Sequence, residues 1–320
     1  MRIHPWLSVV TLTAAVSACE PFPEAPGSAL TEVQLPGEDF YPEGMASSKD
    51  GTLYVGSLGT GAIARARPGA LGAEVFVPGR PAFGVYGLAV DEARDTLWAC
   101  TYDDTLPPAQ PSHLAAYVLS TGAPKASHPM PGASGFCNDV TVDAAGNVYA
   151  TDSFANTVVR LAAGGTAPTT WAADDAFAPT EPGAFTLNGI AYDGAGRLYV
   201  VKSDSGTLFS IDIQPDGSAA APVIIPVTPA LETPDGLEWV DSQRLLVVEN
   251  TAGQASMVVL GEGAGAKEVL ANGFGEPTAA ALTEDGAWVL ESQMGFLFGA
   301  PGTPSLPFRM YRVVVPPLLP

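Results

Sequence analysis

Cationic side chains are scarce in this 320-residue chain, with 14 Lys and Arg against 34 Asp and Glu, and the formal charge is −20. A surface of that sign repels phosphate backbones and anionic headgroups, which excludes nucleic acid and electrostatic membrane binding as functions and favours cations as ligands. Histidine is rarer still, at three residues, His4, His113 and His128. They are too few and too scattered for a zinc centre, which prefers His or Cys ligands. No stretch reaches the roughly 20 apolar residues of a transmembrane helix. Sustained helical periodicity with caps is also missing, and 35 Gly with 30 Pro would interrupt most long helices. Three cysteines make no disulfide framework.

Arg2, the apolar stretch from Trp6 to Ala15 and the small residues Val16-Ser17-Ala18 lead directly into Cys19. That order is a lipoprotein signal peptide over residues 1–18, with Cys19 as the site of lipid attachment. The Pro-rich residues 19–28 then form a semi-extended tether. Glu20 follows the cysteine where an Asp tends to retain Gram-negative lipoproteins at the inner membrane, so the expected location is the cell envelope, lipid-anchored at the outer membrane. With Cys19 lipidated, Cys100 and Cys137 remain, and an oxidising compartment permits their pairing without requiring it.

One unit recurs through residues 29–320: a Gly-containing turn, an apolar strand, a second turn, and a second strand beginning Leu-Tyr-Val or a variant. The second strands start at Leu53, Leu97, Val148, Leu198, Leu245 and Ala287, roughly 42 to 51 residues apart. Pairs such as Asp50-Gly51 and Ala145-Gly146 supply the positive φ of tight turns. Thr157 to Leu161, Thr207 to Ile211 and Ser256 to Leu260 read as third strands. Six such units predict an all-β, six-bladed propeller of four-stranded antiparallel blades. The β-rich ends, Leu30 to Leu35 and Phe308 to Val315, are expected to close the ring, the amino-terminal segment adding an outer strand to the last blade.

Loops leading into the innermost strands converge at one end of a propeller's axis. Four of the six carry a hard-oxygen side chain at equivalent repeat positions: Pro42-Glu43-Gly44, Cys137-Asn138-Asp139, Leu187-Asn188-Gly189 and Pro234-Asp235-Gly236. Asn-Gly and Asp-Gly pairs are also ordinary turn formers, but Glu43 is not a turn residue and the ordered recurrence goes beyond turns. Two carboxylates and two amides suit one Ca²⁺, with waters completing its six to eight ligands. Lys202 and Glu249, each just after the second strand of its blade, read as outer-loop or paired residues rather than catalytic ones.

These motifs, with Gly135-Phe136-Cys137-Asn138-Asp139 and Leu187-Asn188-Gly189-Ile190-Ala191, resemble the superfamily of senescence marker protein, gluconolactonase and luciferin-regenerating enzyme, which is also similar to diisopropylfluorophosphatase and the paraoxonases. The resemblance implies a six-bladed propeller with one calcium held by Glu43, Asn138, Asn188 and Asp235. It further implies hydrolysis of a small lactone, ester or phosphotriester, with Asp235 as general base or nucleophile. Two departures narrow the substrate. Phe136 stands where sugar-lactone members carry an Arg, and Glu276-Pro277-Thr278 where phosphotriesterase-like members place a His. With Tyr86, Phe136 and Thr278 as candidate pocket residues, an apolar-leaning site follows. The expected state is a monomer, and the alternative function is a non-catalytic envelope propeller that binds a ligand or protein, with calcium as an axial staple.

Overall fold

The computed structural model describes residues 31–106, 111–133 and 135–317. The expected signal peptide, the expected lipid-attachment residue Cys19 and the expected tether lie outside the described residues. The strands form six antiparallel blades. From the inner strand outwards, blade 1 contains Pro42–Ser47, Leu53–Ser57, Ile63–Ala66 and Glu74–Val77, and blade 2 contains Phe83–Asp91, Thr96–Asp103, Ser112–Val118 and Pro124–Pro129. Blade 3 contains Cys137–Val142, Val148–Asp152, Thr157–Leu161 and Thr169–Ala173, and blade 4 contains Leu187–Tyr192, Arg197–Lys202, Thr207–Asp212 and Val223–Ile225. Blade 5 contains Pro234–Asp241, Arg244–Glu249, Gln254–Leu260 and Gly265–Asn272. Blade 6 contains Ala280–Thr283, Gly286–Glu291 and Arg309–Val313, and Glu32–Gln34 is its outermost strand. Each inner strand packs against the inner strands of the two neighbouring blades, which makes the ring.

The closure agrees with the expectation: Val33 lies opposite Met310, antiparallel. Blade 5 departs from the four-strand pattern. The connection from blade 4 runs along its free edge, where Val227–Thr228 pairs in parallel with Gly265 and Ala266 and takes up backbone groups that an edge would leave open.

The continuous apolar character of the second strands has a simple cause. Each blade is a sheet covered on both faces, so alternate residues face opposite neighbours and both sets must be apolar. Leu198 and Val200 enter the core shared with blade 3, whereas Tyr199 and Val201 enter the core shared with blade 5. Leu245 and Val247 likewise face blade 4, and Leu246 and Val248 face blade 6. Gly51 and Gly146 adopt φ of +81° and +89°, the left-handed turn geometry their positions demanded.

Cys100, on the second strand of blade 2, is bonded to Cys137, at the start of the inner strand of blade 3, with 5.1 Å between Cα atoms. Lys202 and Glu249 are both buried and paired, Lys202 with Asp204 at 2.9 Å and Glu249 with Lys267 at 3.0 Å. Glu249 also accepts hydrogen bonds from Gln254, Ser256 and the backbone N–H of Glu232. Both carboxylate oxygens of Glu249 therefore have partners.

Candidate metal centre

Five of the six inner strands break register near their start, between Pro42 and Met45, Val85 and Leu88, Cys137 and Val140, Leu187 and Ile190, and Pro234 and Leu237. A β-bulge re-aims the side chains of the residues it contains. The residues inside these bulges are Glu43-Gly44, Tyr86-Gly87, Asn138-Asp139, Asn188-Gly189 and Asp235-Gly236. Glu43, Asn138, Asn188, Asp235 and Thr278 all line one cavity of about 220 Å3 on the axis. The four proposed ligand residues are thus brought together, with Thr278 beside them.

The glycines beside them are not turn formers, for none of Gly44, Gly87, Gly189 and Gly236 has positive φ. Their use is space. A Cβ on Gly44 would collide with the Tyr86 carbonyl, one on Gly189 with the Asp235 carbonyl, and one on Gly236 with the Thr278 carbonyl. Each bulge therefore lets the next blade's backbone approach the axis closely. Blade 3 is the exception: Asp139 occupies the corresponding position. Its Oδ2 accepts from Ile190 N–H at 3.0 Å and its Oδ1 from Val140 N–H at 2.8 Å, so a side chain ties blade 3 to blade 4.

The approaches to the inner strands are strained. Tyr41, Thr233 and Glu276, each two residues before Glu43, Asp235 and Thr278 respectively, have φ of 40°, 50° and 49°. For a β-branched residue such as Thr233 this is a costly conformation, of the kind that clusters at functional sites. Thr278 closes the circle, its hydroxyl donating to the Glu43 carbonyl at 2.8 Å.

The site is acidic and uncompensated. Glu43 is held well above the usual carboxylate range, first by burial and then by the charges of Asp235 and Asp139. Burial and Asp139 push Asp235 up to about 8, against hydrogen bonds from Asn188 and Asn250 that favour its ionised form. Asn250 Nδ2 lies 3.3 Å from Asp235 Oδ2 and 3.3 Å from the Pro277 carbonyl. Asp139 is raised to about 7 by burial, and Glu238, further along the same channel, to about 8 by burial and Asp139. Among the described residues lining the cavity none is Lys, Arg or His. Asn138 Oδ1, in a residue only 5% exposed, has no hydrogen-bond partner among the described residues.

An orphaned amide oxygen beside buried carboxylates fits a hard cation, which such oxygens coordinate. No three His, Cys, Asp or Glu side chains among the described residues converge closely enough to hold a metal alone. The residues that line the cavity offer amide oxygens beside the carboxylates, a donor set that fits a hard cation better than zinc. His113 and His128 sit on the outer strands of blade 2, away from the axis, with Nδ1 2.9 Å from Ser127 Oγ and from the Thr166 carbonyl respectively.

Tyr86 and Phe136 do not line the axial cavity. They meet edge to face at 5.0 Å beside it, where Phe136 is the centre of an aromatic cluster. Burial and the charge of Glu43 raise the Tyr86 hydroxyl, so the ring stands close to the site without entering it. Asp139, Asn250 and Glu238 were not singled out in the sequence. Only Asp139 left a signal, as a carboxylate where the four other bulges have glycine.

Many solved structures share the fold. Luciferin-regenerating enzyme superposes with a TM-score of 0.63 at 13% identity, covering 87% of this chain and 92% of its own. The gluconolactonase XC5397 from Xanthomonas campestris gives 0.61 at 16% identity, covering 86% and 87%. Virginiamycin B lyase from Staphylococcus aureus gives 0.57 at 16% identity, covering 82% and 81%. The chain has their six-bladed propeller fold. No family model matches the sequence, and no curated protein does either. These neighbours include a lactonase and a lyase, so the shared ring does not select a reaction.

Proposed function

We propose that this propeller is a calcium-dependent, extracytoplasmic hydrolase of a small lactone, ester or phosphotriester, with one ion held by Glu43, Asn138, Asn188 and Asp235. The observation that carries the reading is the unpartnered, enclosed Asn138 Oδ1 among buried carboxylates, in a cavity whose described lining has no cationic side chain. Propeller neighbours named as a gluconolactonase and a luciferin-regenerating enzyme support a hydrolytic activity. The Cys100–Cys137 bond supports an oxidising compartment, as the signal peptide does.

When bound, the ion would polarise a carbonyl or phosphoryl oxygen as a Lewis acid. The protein's part is to keep Asp235 in place and charged. Asn250 and Asn188 orient the carboxylate and favour its ionised form. Thr278 fixes the backbone of Glu43, and Asp139 fixes blade 4 against blade 3 at the level of Asn188. An ionised Asp235 is positioned to take a proton from water or to attack the substrate itself.

Calorimetric titration with calcium, with hydrolysis of aryl esters, lactones and phosphotriesters assayed before and after chelation, tests this reading. Single-site binding with chelator-sensitive turnover, both lost in Asp235→Ala, is the expected result. Binding without turnover on any of the panel would leave the axial staple, and no binding would overturn the metal centre.

A further inference from the structure

Phe136 gathers rings from three blades: Tyr86 at 5.0 Å and Tyr102 at 6.0 Å from blade 2, Phe154 at 5.3 Å from its own blade, and Phe185 at 5.6 Å from the approach to blade 4. Phe154 and Phe185 are themselves 4.6 Å apart. The innermost ring is buried, at 6% exposure, but Phe154 and Phe185 remain 41% and 48% exposed. Water contact over that much phenyl surface is unfavourable, and a clustered apolar patch beside a polar cavity is the usual composition of a ligand site.

The cluster is continuous with the axial ring. Phe136 lies two residues before Asn138, and Phe185 three before Asn188. Phe154 lies in the turn after Asp152, whose Oδ1 accepts from the N–H groups of Phe136, Phe154 and Ala155, so one buried carboxylate locks the backbone that carries two of the rings. The charged groups acting on the two tyrosines are acidic, Glu43 on Tyr86 and Asp104 on both. An anionic ligand group is repelled there, and a polyhydroxylated one finds phenyl rings instead of hydrogen-bond partners.

We propose that this wall is the specificity pocket of the axial site, and that the substrate is an uncharged ester or lactone with an aromatic or bulky apolar group next to the scissile bond. The inference rests on reading the axial ring as the hydrolytic centre. In the reaction, water gives up a proton as its oxygen bonds to the carbonyl carbon, the carbon–oxygen bond to the alcohol breaks, and the released alkoxide takes up that proton, leaving acid and alcohol from an ester or one hydroxy acid from a lactone. The apolar group lies against Phe154 and Phe185 while the carbonyl faces the ring of oxygens.

The test uses the full chain and its Phe154→Ala, Phe185→Ala and Phe185→Leu variants. Nile red, a neutral apolar dye, is titrated in the presence of chelator, so that the wall is read without metal or chemistry. The ratio of kcat/KM for phenyl acetate to that for methyl acetate is then measured with calcium. Each alanine variant is expected to weaken dye binding and to lower the ratio about tenfold, the worth of roughly half a phenyl group's burial, with Phe185→Leu intermediate. Calcium affinity, measured on the same variants, should stay at the wild-type value. Dye binding lost in the alanine variants supports the wall even if no ester is turned over, in which case the hydrolase reading alone fails. Equal dye binding by all proteins, or an unchanged ratio in an active enzyme, overturns the wall and leaves the hydrolase reading standing.

Discussion

Replacing Asp235 with Asn should make the metal-free protein more stable at alkaline pH while removing its response to calcium. The folded-state pKa of Asp235 is about 8, raised by burial and Asp139 from an ordinary 3.8. A carboxyl shifted upwards contributes stability that is fully present below about pH 4 and is lost as pH rises through about 8, because the folded state there holds a proton that the unfolded state has released. The difference of about 4 units corresponds to on the order of 5 kcal/mol at about 1.36 kcal/mol per unit. For about 300 residues the unfolding entropy is about 0.6 kcal/mol/K, so the loss amounts to roughly 8 °C in Tm. Asp139 and Glu238 are raised for the same reason and titrate over the same window, so wild type should fall by at least that much between pH 5 and pH 9 in chelator. Asp235→Asn keeps the shape and the acceptor for Asn250 but carries no charge, and its melting temperature should fall markedly less. Saturating calcium should flatten the wild-type profile, since an adjacent cation stabilises the ionised carboxylates, and should do little for the variant. Calorimetric melting across pH, with chelator or calcium, measures all four curves. A metal-free wild type that melts equally at pH 5 and pH 9, or a variant that gains as much from calcium as wild type, would refute the reasoning.

Reducing the Cys100–Cys137 bond, which closes a loop with a sequence separation of 37, should cost about 4 kcal/mol; a denaturation midpoint unmoved by reductant would contradict this. Lys267→Met should cost about 3–5 kcal/mol by stranding the buried Glu249, and the double change with Glu249→Leu should recover much of it, both read from denaturant unfolding. Thr278→Val removes the hydroxyl that holds the Glu43 carbonyl and should weaken calcium binding while costing about 1 kcal/mol of stability, seen by calorimetric titration and unfolding of the same sample. Val33→Asp buries a charge in the closing strand and should expose the amino-terminal side of blade 1 to limited proteolysis; an unaltered cleavage pattern would show that the strand does not hold the ring shut.

The blades were legible because their physics leaves a local trace. A strand covered on both faces must be apolar at consecutive residues, and Leu198-Tyr199-Val200-Val201 records that directly. The positions of Glu43, Asn138, Asn188 and Asp235 were legible because a bulge recurs at the same place in each of their four units, and all four line one cavity. What the glycines do was not legible, since a residue chosen for positive φ and one chosen to admit a neighbouring carbonyl are both written Gly. Glu238 was invisible for a similar reason: a lone acid on a strand ordinarily faces water, and only the ring turns its channel-facing side inwards. The pairing of Cys100 with Cys137 depends on how the second strand of one blade lies against the inner strand of the next, which spacing does not encode. Phe154 and Phe185 escaped because each lies in a different unit and the rings meet only once the blades are packed.

The strand Glu32–Gln34 has a mechanical consequence. Because it belongs to the same blade as Arg309–Val313, tension drawn through the chain before residue 32 runs along that strand and loads its backbone hydrogen bonds in shear. Val33 and Leu35, both 3% exposed in the core between blades 6 and 1, resist the slide. The ring is thus clasped at the point where any pull on the amino end arrives. Joining the chain just before Glu32 to the chain just after Val313, and reopening it between two other blades, would turn that clasp into a covalent link and move the seam to wherever the new ends are cut.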